Sequence, residues 1–117
     1  MAIQRAAIAV LSGPQDYCAE AAALYRRRRD AFLEAIAPLG YPVEPPKATL
    51  YVWLPISRRS ASSMDFTREL LEQTGVVVAP GSGFGRAGEG FVRVALSDTE
   101  QRLSEAGARM AKAGLRY

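Results

Sequence analysis

A chain of 117 residues, 49% of them hydrophobic, is the size of one domain with a modest core. Its 15 basic and 12 acidic residues leave a net charge of +3, too small and too mixed in sign to single out a nucleic-acid partner. Histidine is absent and Cys18 is the only cysteine, which excludes internal disulfides, histidine-dependent nucleophilic schemes and a zinc site built on the usual ligands.

Residues Ala2 to Leu11 are alanine-rich and helix-favouring, and Ser12-Gly13-Pro14 closes that segment by turn chemistry. With no cap at Met1, the chain opens inside a helix, and the expectation is the tail of a longer element. A second helix is predicted from Gln15 to about Leu39, with Tyr17, Ala21, Leu24, Ala31 and Ala35 on one stripe and Phe32 and Ile36 widening it; Gly40 and Pro42 end it. Arg26-Arg27-Arg28-Arg29 lies inside that helix. Four successive residues fan around a helix instead of forming a basic stripe, and no aromatic interleaves them, so a solvated face with an Arg26/Asp30 pair is the expectation over a nucleic-acid surface.

Tyr41 to Glu44 can form a short strand, and Pro45-Pro46 a stiff corner. Thr49 to Pro55 reads as a strand with Leu50, Val52 and Leu54 on one face and Tyr51 and Trp53 on the other. Ser62 and Asp65 form a capping-box pattern for a helix that buries Phe66, Leu70 and Leu71 and stops at Gly75. Val76 to Ala79 is the next predicted strand, followed by a loop holding Pro80, Gly81, Gly83, Gly85, Gly88 and Gly90. The strand Phe91 to Leu96 then points Val92, Val94 and Leu96 one way and Phe91, Arg93 and Ala95 the other. Ser97-Asp98-Thr99-Glu100 reads as a second capping box before an amphipathic last helix on Leu103, Ala106, Met110 and Ala113.

This order predicts an α+β two-layer sandwich, a small mixed or antiparallel sheet covered by helices on one face. Its other face would carry Tyr51, Trp53, Phe91 and Arg93, and such a face calls for a second domain, a subunit or a ligand. Arg93 is either a guanidinium on an exposed sheet face or one held there for a purpose. Gly83-Phe84-Gly85-Arg86-Ala87-Gly88 matches G-x-G-x-x-G, but a strand follows it where a dinucleotide site needs a helix N-terminus, so the glycines are expected to serve a sharp turn and close backbone approach. No signal-peptide pattern and no apolar run of spanning length appear, so a cytoplasmic location without membrane contact is the expectation.

Several segments resemble one family together: Gln4-Arg5-Ala6-Ala7, Tyr25 with Arg28-Arg29-Asp30, Pro46 through Trp53, Val78 through Gly85, and Gly88 through Leu96. They resemble the C-terminal small domain of a fold type I pyridoxal-phosphate-dependent aminotransferase of class I/II, of the aspartate or LL-diaminopimelate type. The resemblance implies residues 1–12 as the tail of an interdomain helix and 13–117 as the small domain. It also implies that Arg93 binds the carboxylate of an amino acid or 2-oxo acid, that pyridoxal 5'-phosphate sits in a preceding large domain, and that the parent is a homodimer. The serine-rich lysine motif is missing, since Lys47 and Lys112 are the only lysines, so the isolated chain is expected to bind no cofactor and to be inactive alone. The alternative is a free-standing interaction or small-carboxylate-binding module derived from that domain.

Overall fold

The alternating strands build the sheet in this computed structural model, which describes all 117 residues. Strand β1 (Tyr51–Pro55) pairs antiparallel with β3 (Phe91–Ala95), so that Val52 faces Val94, Trp53 faces Arg93 and Leu54 faces Val92. A two-residue strand β2 (Ala79–Pro80) lies on the other side of β3, and the order across the antiparallel sheet is β1-β3-β2. Four helices accompany it: α1 (Ala2–Ser12), α2 (Asp16–Ile36), α3 (Ser63–Thr74) and α4 (Glu100–Lys112). Val52, Leu54, Val92, Val94 and Leu96 form one buried cluster with Phe32 and Ile36 of α2, Phe66 and Leu70 of α3, and Leu103 and Met110 of α4. The architecture is the expected α+β sandwich, with every strand pair antiparallel. No helix is long and apolar enough to cross a membrane.

Local chemistry sets the helix ends. Ser62 accepts the Asp65 N–H at 3.1 Å, and Gly75, at φ 70°, returns its N–H to the Leu71 carbonyl. At α4 the expected capping box is replaced by a simpler cap. Thr99 accepts the Arg102 N–H, and its own N–H is taken at 2.8 Å by the preceding Asp98, whose other oxygen meets the Arg102 side chain at 3.1 Å, in place of an acidic residue at the third helical position. Helix α2 ends at Ile36 and tightens into a 3₁₀ turn over Ala37–Leu39 before Gly40, at φ 79°.

Other expectations are corrected. Tyr41 to Glu44 forms no strand: Pro42 lacks a ladder donor, the Val43 N–H bonds back to the Tyr41 carbonyl, and the Tyr41 ring is buried against Phe66 and Tyr117. The predicted Thr49 to Pro55 strand starts at Tyr51, because Thr49 takes φ 72° in a bend. Val76 to Val78 is not paired with β3. The Val76 N–H goes to the Thr74 hydroxyl, and side-chain packing of Val76 and Val78 on the core holds the segment. Tyr17 is 76% exposed, since the first half of α2 runs past the sheet, and Leu71 is half exposed because Leu70 takes the core-facing position of that turn.

The arginine run is mostly taken up within the chain. Arg27 pairs with Glu100 at 3.0 Å, Arg28 donates to the Leu96 carbonyl, and Arg29 bonds Asp30 and the Pro46 carbonyl. Asp30 therefore pairs with Arg29, not with Arg26 as expected. These contacts fasten α2 to the exit of β3 and to the loop that enters β1.

Helices α2 and α4 make the broadest helix contact, and they touch where both side chains are smallest. A Cβ added at Gly107 would lie 2.5 Å from the Ala35 Cβ. Gly107→Ala gains about 1 kcal/mol of helix propensity but overpacks a tight crossing at a cost of about 1–3 kcal/mol. A lower urea midpoint is expected; an equal or higher one would show that the crossing relaxes freely.

Burial, with a smaller contribution from the Glu69 charge, pushes the Tyr41 phenol up to about 12. An acid whose pKa is raised on folding stabilises the fold below its unfolded pKa, about 10 for tyrosine, and that contribution is lost as pH rises through the folded value. Unfolding midpoints followed by circular dichroism should therefore fall between pH 10 and pH 12, and Tyr41→Phe should flatten that fall. Equal slopes in both proteins would show that Tyr41 is not the group responsible.

Candidate functional site on the open sheet face

The same alternation that buries Val52 and Leu54 turns Tyr51 and Trp53 of β1, and Phe91 and Arg93 of β3, to the face without helices. The glycine loop rises over this face. After Pro80 it makes two 3₁₀ turns, Gly81–Phe84 and Arg86–Gly88, and returns into β3. Gly81 and Gly88 meet backbone to backbone, and a Cβ on either would overlap the other's carbonyl. Gly85, at φ 105°, permits the reversal between the turns. The loop is thereby folded tightly enough to bring Phe84 down onto the sheet.

Arg93 ends up in a clamp. Its guanidinium carbon lies 4.1 Å from the Tyr51 ring centroid and 4.2 Å from that of Phe84. Trp53 meets Phe84 edge to face at 5.5 Å. The five ion pairs of the chain use Arg27, Arg29, Arg68, Arg102 and Arg109, and Arg93 is in none of them. Both rings lie within stacking distance of this group, whose planar fork of N–H donors suits two parallel bonds to a carboxylate. Beside the clamp is an open, apolar hollow of about 360 Å³ lined by Trp53, Phe84, Ala87, Gly88 and Phe91.

A tether on the loop's return strand completes the arrangement. Glu89 Oε1 accepts the backbone N–H groups of Ser63 at 2.7 Å and Gly90 at 3.0 Å, and Oε2 accepts the Ser63 hydroxyl at 3.0 Å. The Ser63 oxygen in turn accepts the Ser82 N–H at 3.2 Å. The Ser63 N–H above all, then the Gly90 N–H and the Ser63 hydroxyl, hold the Glu89 carboxyl below the usual carboxylate range.

Elsewhere the surface offers less chemistry. A second hollow of about 330 Å³ opens between α4 and Val76 to Val78. Its charged rim is self-paired, Asp98 with Arg102 and Glu105 with Arg109. The G-x-G-x-x-G residues lead through a short 3₁₀ turn into β3, with no α-helix starting at the loop. Pyridoxal phosphate, which the resemblance implies for the parent, needs a lysine amine at its aldehyde carbon. Lys47 and Lys112, the only lysines, are both exposed and line neither hollow.

Arg93 and its aromatic neighbours Tyr51 and Trp53 were legible from strand period. The seating of Phe84 and the tether of Glu89 were not, since both depend on contacts between residues remote in sequence; the glycine spacing was the one available signal of a tightly folded loop.

Comparison with known proteins places this geometry. The family model for aminotransferases of class I and II matches residues 1–110. The LL-diaminopimelate aminotransferase of Dehalococcoides mccartyi (strain BAV1) is 49% identical over 96 residues, covering 82% of this chain and 24% of that enzyme. That of Gloeobacter violaceus is 45% identical over 116 residues, 99% of this chain and 30% of the enzyme. The structure of apo BacF from Bacillus subtilis superimposes with a TM-score of 0.88 at 36% identity, over 96% of this chain and 29% of that one. The chain thus spans between about a quarter and a third of the length of these relatives. It belongs to the aminotransferase class I and II family.

Proposed function

We propose that this chain is the substrate-recognition part of a pyridoxal-phosphate aminotransferase, its C-terminal small domain over residues 13–117, with residues 1–12 ending an interdomain helix. In this role Arg93 holds the carboxylate of the amino acid or 2-oxo acid. The observation that carries the proposal is the Arg93 guanidinium, stacked between Tyr51 and Phe84 and free of any ion pair in the chain. A guanidinium already fixed between two rings loses little rotamer freedom when a carboxylate arrives, and it presents two parallel donors. It binds and orients the acid; the covalent chemistry lies with the cofactor-bearing part of the parent. Ile3, Ile8, Val10 and Leu11 on α1 are 65–87% exposed, which fits a helix covered in the parent by the large domain or a second subunit.

The second reading, a free-standing small-carboxylate-binding or interaction module, is favoured by a different observation: α2, α3, α4 and the sheet close a continuous core from this chain alone. Both readings use the Arg93 face, for an acid or, in the interaction module, for a partner.

Trp53 is the only tryptophan, and it packs on Phe84, so its emission reports on the clamp. Titration with 2-oxoglutarate should change this emission saturably. Arg93→Ala should abolish the response, and Arg93→Lys should weaken binding by about tenfold, since an ammonium cannot copy a bidentate grip whose charged hydrogen bonds contribute about 1.5–3 kcal/mol. Equal affinity in wild type and Arg93→Ala would remove Arg93 from the site. In a full-length parent, the same alanine change should raise KM and lower kcat/KM while the cofactor absorption is retained.

Incubation of the 117-residue chain with pyridoxal phosphate and borohydride should spread label over exposed amines such as Lys47 and Lys112 without saturation. A saturable adduct at a single lysine, located by mass spectrometry, would overturn the assignment of cofactor binding to the rest of the parent.

A further inference from the structure

Three parts form the arginine clamp, and only two come from the sheet. Tyr51 and Arg93 are fixed by the pairing of β1 with β3, whereas Phe84 rides on a loop whose side chains are largely exposed. Stacking on Arg93 and Trp53 is worth too little to seat such a loop alone, since an exposed cation–π contact contributes about 0.5–1 kcal/mol and ordering a residue's backbone costs about 1–2 kcal/mol. Something else must hold the loop down.

One carboxylate meets that need. Glu89 stands where the loop returns to β3 and gathers three donors, two of them from Ser63, the first residue of α3. Ser63 has no exposed surface, so it is a fixed post, and its oxygen takes the Ser82 N–H from the other limb of the loop. Both limbs are therefore tied to one buried serine, with Gly81 and Gly88 pressed together between them. An acceptor-only carboxylate suits three converging donors, and the first turn of α3 favours negative charge there. A loop with no side-chain role would not need a glutamate that takes both the backbone N–H and the hydroxyl of the first residue of a distant helix.

We infer that Glu89 is a positioning residue: through Ser63 it latches the glycine loop to the start of α3 and so keeps Phe84 seated on Arg93 in the carboxylate-binding conformation. The inference rests on the Arg93 reading for its functional meaning, but the latch itself has an independent readout. With the latch broken, the fraction of chains with a closed clamp falls, and apparent affinity for the acid falls by the same factor.

The test uses the whole 117-residue chain with Glu89→Ala, Glu89→Gln and Arg93→Ala variants, reading Trp53 emission without ligand and the dissociation constant for 2-oxoglutarate. Glu89→Ala should red-shift Trp53 as Phe84 leaves it, and weaken binding roughly three- to tenfold, with far-ultraviolet circular dichroism unchanged. Glu89→Gln keeps one oxygen for both backbone N–H groups and loses only the acceptor for the Ser63 hydroxyl, so it should restore most of both signals. If Glu89→Ala fails to fold, the glutamine variant decides: a small red shift of Trp53 against the wild type supports the latch, and unchanged emission overturns it. Wild-type Trp53 emission in both Glu89 variants would overturn the latch. If the wild type binds no 2-oxoglutarate while Glu89→Ala still shifts Trp53, the Arg93 reading fails and the latch stands.

Discussion

The pairing of β1 with β3 divides the molecule into a closed side and a working side. Val52, Leu54, Val92, Val94 and Leu96 are at most 6% exposed, and burying each aliphatic side chain contributes on the order of 1.5–3 kcal/mol. A slip of one residue in either strand would reverse every side chain on it. On β3 it would carry Arg93 into the core, where an unpaired charge costs several kcal/mol. Register is therefore specified twice, by what it buries and by what it keeps out. Arg93 points outward because of the valines on either side of it.

That outward guanidinium is not simply solvated. Tyr51 lies directly on β1 and needs only the sheet to reach it, but Phe84 arrives by a route that depends on Gly81 touching Gly88 and on Glu89 bonding Ser63. The two aromatic rings lie close to the guanidinium, and no ion pair of the chain engages it. Such a group loses little on binding an anion, because its orientation has already been set by packing. The adjoining hollow between Trp53 and Phe91 contributes apolar surface without a competing charge.

Much of this was legible in the sequence wherever one local rule decided the outcome. Strict alternation over Phe91 to Leu96 placed Arg93 on the open face, and Ser62, Gly40 and Gly75 marked helix ends through capping and left-handed turns. Local rules failed where a tertiary contact outbid them. Val76 to Val78 has the composition of a strand, yet side-chain burial rather than ladder pairing holds it. Tyr41 to Glu44 was drawn off by Pro42 and by the burial of one aromatic ring. The Tyr17 stripe failed because helical period reveals an apolar face and says nothing of where the neighbour ends. Glu89 and Ser63, 26 positions apart, carry no periodic signal that could have joined them.

The exposed side of the molecule is connected to the buried one. Helix α1 has no buried residue, and an isolated helix of 11 residues is marginal in water, so its stability depends on what covers it. It leads through Ser12 to Gln15 into α2, whose own first half is also exposed. Further along, Arg27, Arg28 and Arg29 tie α2 to Glu100, to the carbonyl of Leu96 at the exit of β3, and to the carbonyl of Pro46 ahead of β1. Leu96 directly follows the strand that carries Arg93, Pro46 lies in the loop leading to the strand that carries Tyr51, and Glu100 opens α4. The arginine run, four successive basic residues, thus serves as a joint between α2 and segments beside the two paired strands.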